Sequence, residues 1–143
     1  MKKGIAELLE EVSKIKKIDD RADALKNLAS KEQAVATVIE YIFNPNVKFD
    51  LPDGNPPYKP LPKESDVQNA LYRDVRRLQY FIKDRYPQIK PLKRETMFIE
   101  MLEGIDPDDA ALLIAMKDKK SPYKGIDNKL IHKAFPGSKE AGW

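Results

Sequence analysis

The feature that most limits how this chain can fold is a three-four spacing of apolar residues that returns in one segment after another. Ile5, Leu8, Leu9, Val12 and Ile15 follow it, then Ala34, Val35, Val38, Ile39 and Ile42, and again Met97, Phe98, Met101 and Leu102. Residues so spaced share one face of a helix, and each such stripe needs another to pack against. The pattern predicts an all-α, compact multi-helix domain of about six to seven helices. A length of 143 residues, 41% of them hydrophobic, suits one domain with a real core.

The breakers set the boundaries. The first helix carries Glu7, Glu10, Glu11 and Lys14 on a solvated face, and Asp19 or Asp20 is placed to cap a second helix with Ala22, Leu25 and Leu28 inside. Ser30-Lys31-Glu32-Gln33 has the form of a capping box and predicts the start of a third helix, whose broad stripe makes it the central one. Asn44-Pro45 stops it. A Pro-rich connector over 44–64 then separates helices 3 and 4. Within it Val47, Phe49 and Leu51 alternate with charges as a short extended piece does, and Pro52 to Asn55 reads as a turn. Pro56, Pro57 and Tyr58 suit either a partner's aromatic groove or, with more weight, a rigid connector lying on its own domain.

Ser65-Asp66-Val67-Gln68 is a second capping box, predicted to open a long helix to about Arg85 with Val67, Leu71, Val75, Leu78, Phe81 and Ile82 inside. Its outer face holds Arg73, Arg76, Arg77, Lys83 and Arg85, a solvated face or a phosphate-binding one. Tyr86-Pro87 breaks it, a connector runs through Pro91, and the next helix ends near Gly104. Asp106-Pro107 then caps and starts a helix with Ala111, Leu112, Ile114, Ala115 and Met116. The expected organisation is one domain over 1–143: N-terminal helices in 1–43, the connector, C-terminal helices with a basic turn in 65–137, and a tail in 138–143.

That basic turn is the main functional clue. Lys117, Lys119, Lys120 and Lys124 surround Pro122-Tyr123-Lys124-Gly125, and Asp127 is placed to cap a short helix ending at Phe135-Pro136-Gly137. Side-chain charge and free backbone N–H groups converging on one point make a phosphate seat. The net charge of +3 understates the polarity, because Glu95 to Asp109 holds six acids with no lysine or arginine among them, and the lysines follow immediately afterwards.

Other chemistries find little footing. There is no cysteine, and the one histidine, His132, falls on a helix with no nucleophile motif to serve, so it reads as a surface or packing residue. Glycine-rich nucleotide loops are missing, and no apolar run is long enough to span a membrane. Glutamates interrupt the N-terminal apolar segment, which argues against a signal peptide and for a cytoplasmic protein. Asp106, Asp108 and Asp109 lie where helix N-termini want acids; a small metal nuclease built on them is the weakest of three readings. No catalytic residue, metal ligand, cofactor, membrane contact or small-molecule substrate is expected.

Two stretches carry a resemblance, AVATVIEYIFNPNVKFDL over 34–51 and ALLIAMKDKKSPYKGIDNKLIHKAFPG over 111–137. The chain resembles the N-terminal helical DNA-binding domain of ATP-dependent DNA ligases, particularly the bacteriophage type, and short proteins of tailed phages. The resemblance implies that the turn from Lys117 to Gly125 approaches a duplex across its minor groove. Lys119, Lys120 and Lys124 would contact phosphates, Gly125 would permit close approach, and the helix after Ile126 would add backbone donors. Tyr123 has no counterpart in the family pattern. The K-x-D-G motif of the nucleotidyltransferase part is missing, so the resemblance implies DNA binding without ligation.

The leading expectation is therefore a non-enzymatic protein that binds double-stranded DNA, intact, nicked or gapped, with little sequence preference, as a phage accessory factor in replication, repair or packaging. Lys117, Lys119, Lys120, Tyr123, Lys124, Gly125 and Lys129 form its first patch, and Arg73, Arg76 and Arg77 a second. The rival is a protein-interaction module, a virion structural or host-takeover factor, meeting a phage or host protein through Pro56, Pro57 and Tyr58.

Overall fold

Helix α3, Gln33–Phe43, is the element around which the others are placed: Ala34, Val35, Val38, Ile39, Tyr41, Ile42 and Phe43 are all buried. In the structure, a computed structural model that describes residues 3–62, 67 and 69–143, it packs on α2 (Ile18–Lys31), on α6 (Pro107–Lys117) and on a 3-10 helix, Val75–Phe81. Helix α1, Ile5–Ser13, lies on α2 and α6. Among the described residues the remaining helices are α4 (Ala70–Asp74), α5 (Pro91–Glu103), α7 (Asn128–Ala134) and α8 (Pro136–Glu140), with no strand beyond one isolated bridge. The all-α architecture is as the apolar spacing predicts.

The stripes of α1, α3 and α5 are buried or half-buried as expected, as are Leu112, Ile114, Ala115 and Met116 of α6, whereas Ala111 is exposed and Ala110 and Leu113 are buried instead; α3 ends at Asn44. Asp106 caps α6, its side chain accepting from the Asp108 N–H at 2.9 Å, with Pro107 at the first position. Several boundaries differ. Helix α2 begins at Ile18, which puts Asp19 and Asp20 in its first turn, where carboxylates suit the helix dipole, and not at its cap. The capping box at Ser30 does not form. Leu28 and Ala29 continue the inner stripe, so α2 runs to Lys31, the Ser30 hydroxyl donates to the Asn27 carbonyl within it, and Glu32 alone separates α2 from α3.

The long helix expected to reach Arg85 is also replaced. Apart from Val67, the capping box proposed at Ser65 to Gln68 lies outside the described residues. Helix α4 lasts five residues, and the chain then tightens into the 3-10 helix, which suits the three-residue interval of Val75, Leu78 and Phe81. It stops at Ile82, well before Tyr86-Pro87, because Ile82 bridges to Phe49 in an antiparallel pair. The half-buried Phe49 meets Tyr41 edge-on, so the 47–51 piece packs on one side as its alternation predicts.

Arg94, to which the sequence reading gave no role, is 4% exposed inside α5, which starts at Pro91. Its guanidinium donates to the carbonyls of Tyr86 and Ile89 and to the Asp50 carboxylate, fixing the 82–90 loop against the 47–51 piece. The 138–143 tail is likewise no tail. Pro136 starts α8, the Trp143 N–H returns to the Ser138 carbonyl at 3.0 Å, and His132 Nε2 meets the Trp143 carbonyl at 2.5 Å. No helix among the described residues is long and apolar enough to cross a membrane.

Candidate nucleic-acid interface

The basic turn begins where α6 ends, and the way α6 ends decides the direction of each lysine. Lys117 is its last residue, with a side chain 2% exposed. Its ammonium donates to the Gly54 carbonyl and to the Asp118 carboxylate, both at 2.7 Å, and Asp118 in turn accepts from the Gly54 N–H. Lys117 therefore fastens the Pro-rich connector to α6, and it does not reach solvent as the sequence reading proposed.

Lys119 closes the helix with two backbone bonds of a Schellman cap, Lys119 N–H to the Met116 carbonyl and Lys120 N–H to the Ala115 carbonyl, each 2.9 Å. Its φ of 60° is the left-handed region usually left to glycine. A lysine stands there because its side chain caps a second helix: the ammonium donates to the carbonyls of Tyr41 and Asn44 at the end of α3. Burial pushes its pKa down to about 8, opposed by the charge of Glu40. This ammonium, too, is directed at the protein's own backbone.

Tyr123 and Gly125 hold the far end of the turn. The Tyr123 hydroxyl donates to the Ala6 carbonyl of α1 at 3.1 Å, and burial raises the phenol's pKa. A Cβ on Gly125 would lie 2.5 Å from the Ser13 carbonyl oxygen. The close approach that this glycine permits is therefore to the end of α1. Asp127 caps α7, its carboxylate accepting from the Leu130 N–H at 2.9 Å, so a negative charge already sits where a phosphate was expected to find backbone donors.

Two lysines of the turn remain outward. Lys120 and Lys124 are exposed and line an open groove of about 660 Å³ together with Ile42, Phe43 and Pro45 from the end of α3. Lys48, which the sequence reading did not single out, lines it as well. The signal was present in the alternation of Val47, Phe49 and Leu51: if those face inward, Lys48 faces out. Asp127 is the acid of this groove. Among the described residues none of Lys48, Lys120 and Lys124 makes an ion pair. Lys129 is exposed one residue beyond the groove wall at Asn128.

The other proposed residues lie elsewhere. Arg73, Arg76 and Arg77 are exposed but outside the groove, and Arg73 and Arg77 sit 3.7 and 4.0 Å from Asp74. Pro56 and Pro57 line a small cleft of about 170 Å³ against Glu95, Phe98 and Ile99 of α5. Tyr58 packs half-buried on the core, and the Lys59 N–H donates to the Glu103 carboxylate at 2.8 Å. The segment is a strap on its own domain.

The acids at the start of α6 serve helix ends. Asp109 is 1% exposed and one of its oxygens accepts from the Ala6 N–H at 2.8 Å, capping α1, whose own cap residue, Gly4, has no side chain. Burial raises its carboxyl pKa to about 7, against that hydrogen bond. Among the described residues no group of three or more His, Cys, Asp or Glu side chains is arranged to hold a metal ion. A protein-family model described as a family of unknown function matches residues 8–122, which takes in Lys48 and Lys120 and stops short of Lys124. No curated protein and no solved structure matches the chain.

Proposed function

The chain belongs to that family, DUF6433, and from this premise, which carries no activity with it, we propose that it is a non-catalytic protein binding duplex DNA through the phosphate backbone. The observation that carries the reading is the groove into which Lys48, Lys120 and Lys124 converge without ion-pair partners among the described residues. Like charges on a concave wall focus their field outward and attract a polyanion. The likeness of 34–51 and 111–137 to the ligase DNA-binding domain supports the same choice, since all the residues lining the groove come from those two stretches.

The binding set is narrower than a count of lysines suggests. Lys120 and Lys124 lead, Lys48 faces them, and Lys129 extends the surface; Lys117, Lys119, Tyr123 and Gly125 hold it in place. Contacts of this kind position a protein without reading bases, so sequence preference is weak. A phage accessory role in replication, repair or packaging, in the host cytoplasm, accords with it. The rival reading as a protein-interaction module drew on the Pro56 to Tyr58 segment; fastening by Lys117, Asp118 and Glu103 gives that segment a place in the fold and leaves the DNA reading better supported.

Fluorescence anisotropy with labelled intact, nicked, gapped and single-stranded DNA over a series of salt concentrations tests the proposal. Log affinity for duplex should fall linearly with log salt, with a slope of about 0.9 for each phosphate neutralised. Absence of binding to every duplex at low salt would overturn it.

A further inference from the structure

The bridge between Phe49 and Ile82 does more than end the 3-10 helix. Two hydrogen bonds flank it, Asp50 N–H to the Phe81 carbonyl at 2.8 Å and Lys83 N–H to the Lys48 carbonyl at 2.7 Å. Phe49 and Ile82 pack in the core, and Lys48 and Lys83 are paired beside them across the bridge by the second of these bonds. Both are exposed, and neither joins an ion pair among the described residues. Asp50, the nearest acid on one strand, is engaged by Arg94 at 3.2 Å. On the other, Asp84 turns the chain with φ 70° directly after Lys83. Like charges placed directly opposite each other destabilise a strand pair. An anion held between them would relieve that repulsion.

Lys48 belongs to this pair and to the groove at once. We infer that the phosphate-binding surface continues past the groove, with Lys48 and Lys83 forming a second seat on the same duplex. The preferred ligand is then a continuous stretch of DNA backbone running from Lys124 and Lys120 over Lys48 to Lys83. Arg73, Arg76 and Arg77 do not line the groove, and two of them already sit beside Asp74. The inference rests on the DNA reading above and gives it a length and a direction.

Lys83→Gln tests it, measured by anisotropy on a duplex of about 20 base pairs and on one of about 6, the longer spanning roughly 68 Å at 3.4 Å per pair. On the long duplex the variant should bind several-fold more weakly, with a salt slope smaller by about one. On the short duplex, seated in the groove, it should bind as the parent does. Lys83→Arg keeps the charge and should restore affinity, which separates the phosphate seat from any structural role of the side chain. If Lys83→Gln leaves the long duplex unaffected while the Lys120→Gln/Lys124→Gln pair weakens it, the second seat is refuted and the groove stands. If neither variant changes binding, the DNA reading itself fails. Equal loss on both lengths, or loss that Lys83→Arg does not restore, also refutes the second seat.

Discussion

The two halves of the basic turn use the same residue type for opposite purposes. In 117–119 the lysines point inward and act on backbone carbonyls: Lys117 holds Gly54 of the strap, and Lys119 holds Tyr41 and Asn44 at the end of α3. In 120–125 Lys120 and Lys124 point outward over the groove, while the uncharged Tyr123 and the side-chain-free Gly125 make the contacts with α1. The difference comes from how α6 ends. A Schellman cap with Lys119 in the left-handed region reverses the chain, so residues on either side of it face different neighbours. Charge in the sequence is thus a poor measure of charge available to a ligand, because the end of α3 and the strap had first claim on it.

The contrast is most easily broken at Lys117. Lys117→Met leaves Asp118 without its cation and the Gly54 carbonyl without its donor. It should cost about 3 kcal/mol in urea unfolding, the low end for breaking a buried pair, since Asp118 keeps some solvent contact. A loss within about 0.5 kcal/mol would place Lys117 with the outward lysines. Gly125→Ala should cost about 2 kcal/mol by the same assay, because its methyl group meets the Ser13 carbonyl and one backbone must give way.

Lys119 permits a finer division. Both Lys119→Ala and Lys119→Gly remove the cap on α3, but only glycine is at ease at φ 60°, so the alanine variant should be less stable by about 1 kcal/mol. Equal stabilities would mean that the backbone strain is absent. The effect of pH is smaller still. The Lys119 ammonium loses its proton near pH 8 in the fold and near 10.5 when unfolded. Between those values the folded chain holds fewer protons, so this residue makes stability rise with pH. Its partial exposure keeps the gain below about 1 kcal/mol. Urea midpoints between pH 8 and 9.5 should rise more in the parent than in Lys119→Met, and parallel curves would contradict the lowered pKa.

What the sequence disclosed follows the range of the forces involved. Helices α1, α3, α5 and α6 were legible because an apolar stripe and a local stop, such as Asn44-Pro45 or Gly104, lie within a few residues of each other. The 3-10 helix was not, because the interval Val75, Leu78, Phe81 suits an α-helix over so short a run, and the deciding partner, Phe49, lies far back in the chain. Ser30 misled because a good cap residue can also bond within a helix whose stripe continues. The fates of Lys117 and Lys119 depend on carbonyls 63 and 78 residues away, which no local pattern records. The exposure of Lys120 and Lys124 was legible because it asks nothing of distant residues. Lys48 was legible in its alternating segment, although its proximity to the turn was not.

The direct test of this division is an anisotropy titration of a nicked duplex with the Lys120→Gln/Lys124→Gln variant at about 50 mM salt, where phosphate contacts weigh most. The account predicts an affinity at least about tenfold below that of the parent, in a protein whose unfolding free energy stays within about 0.5 kcal/mol. Unchanged affinity for the duplex would contradict it.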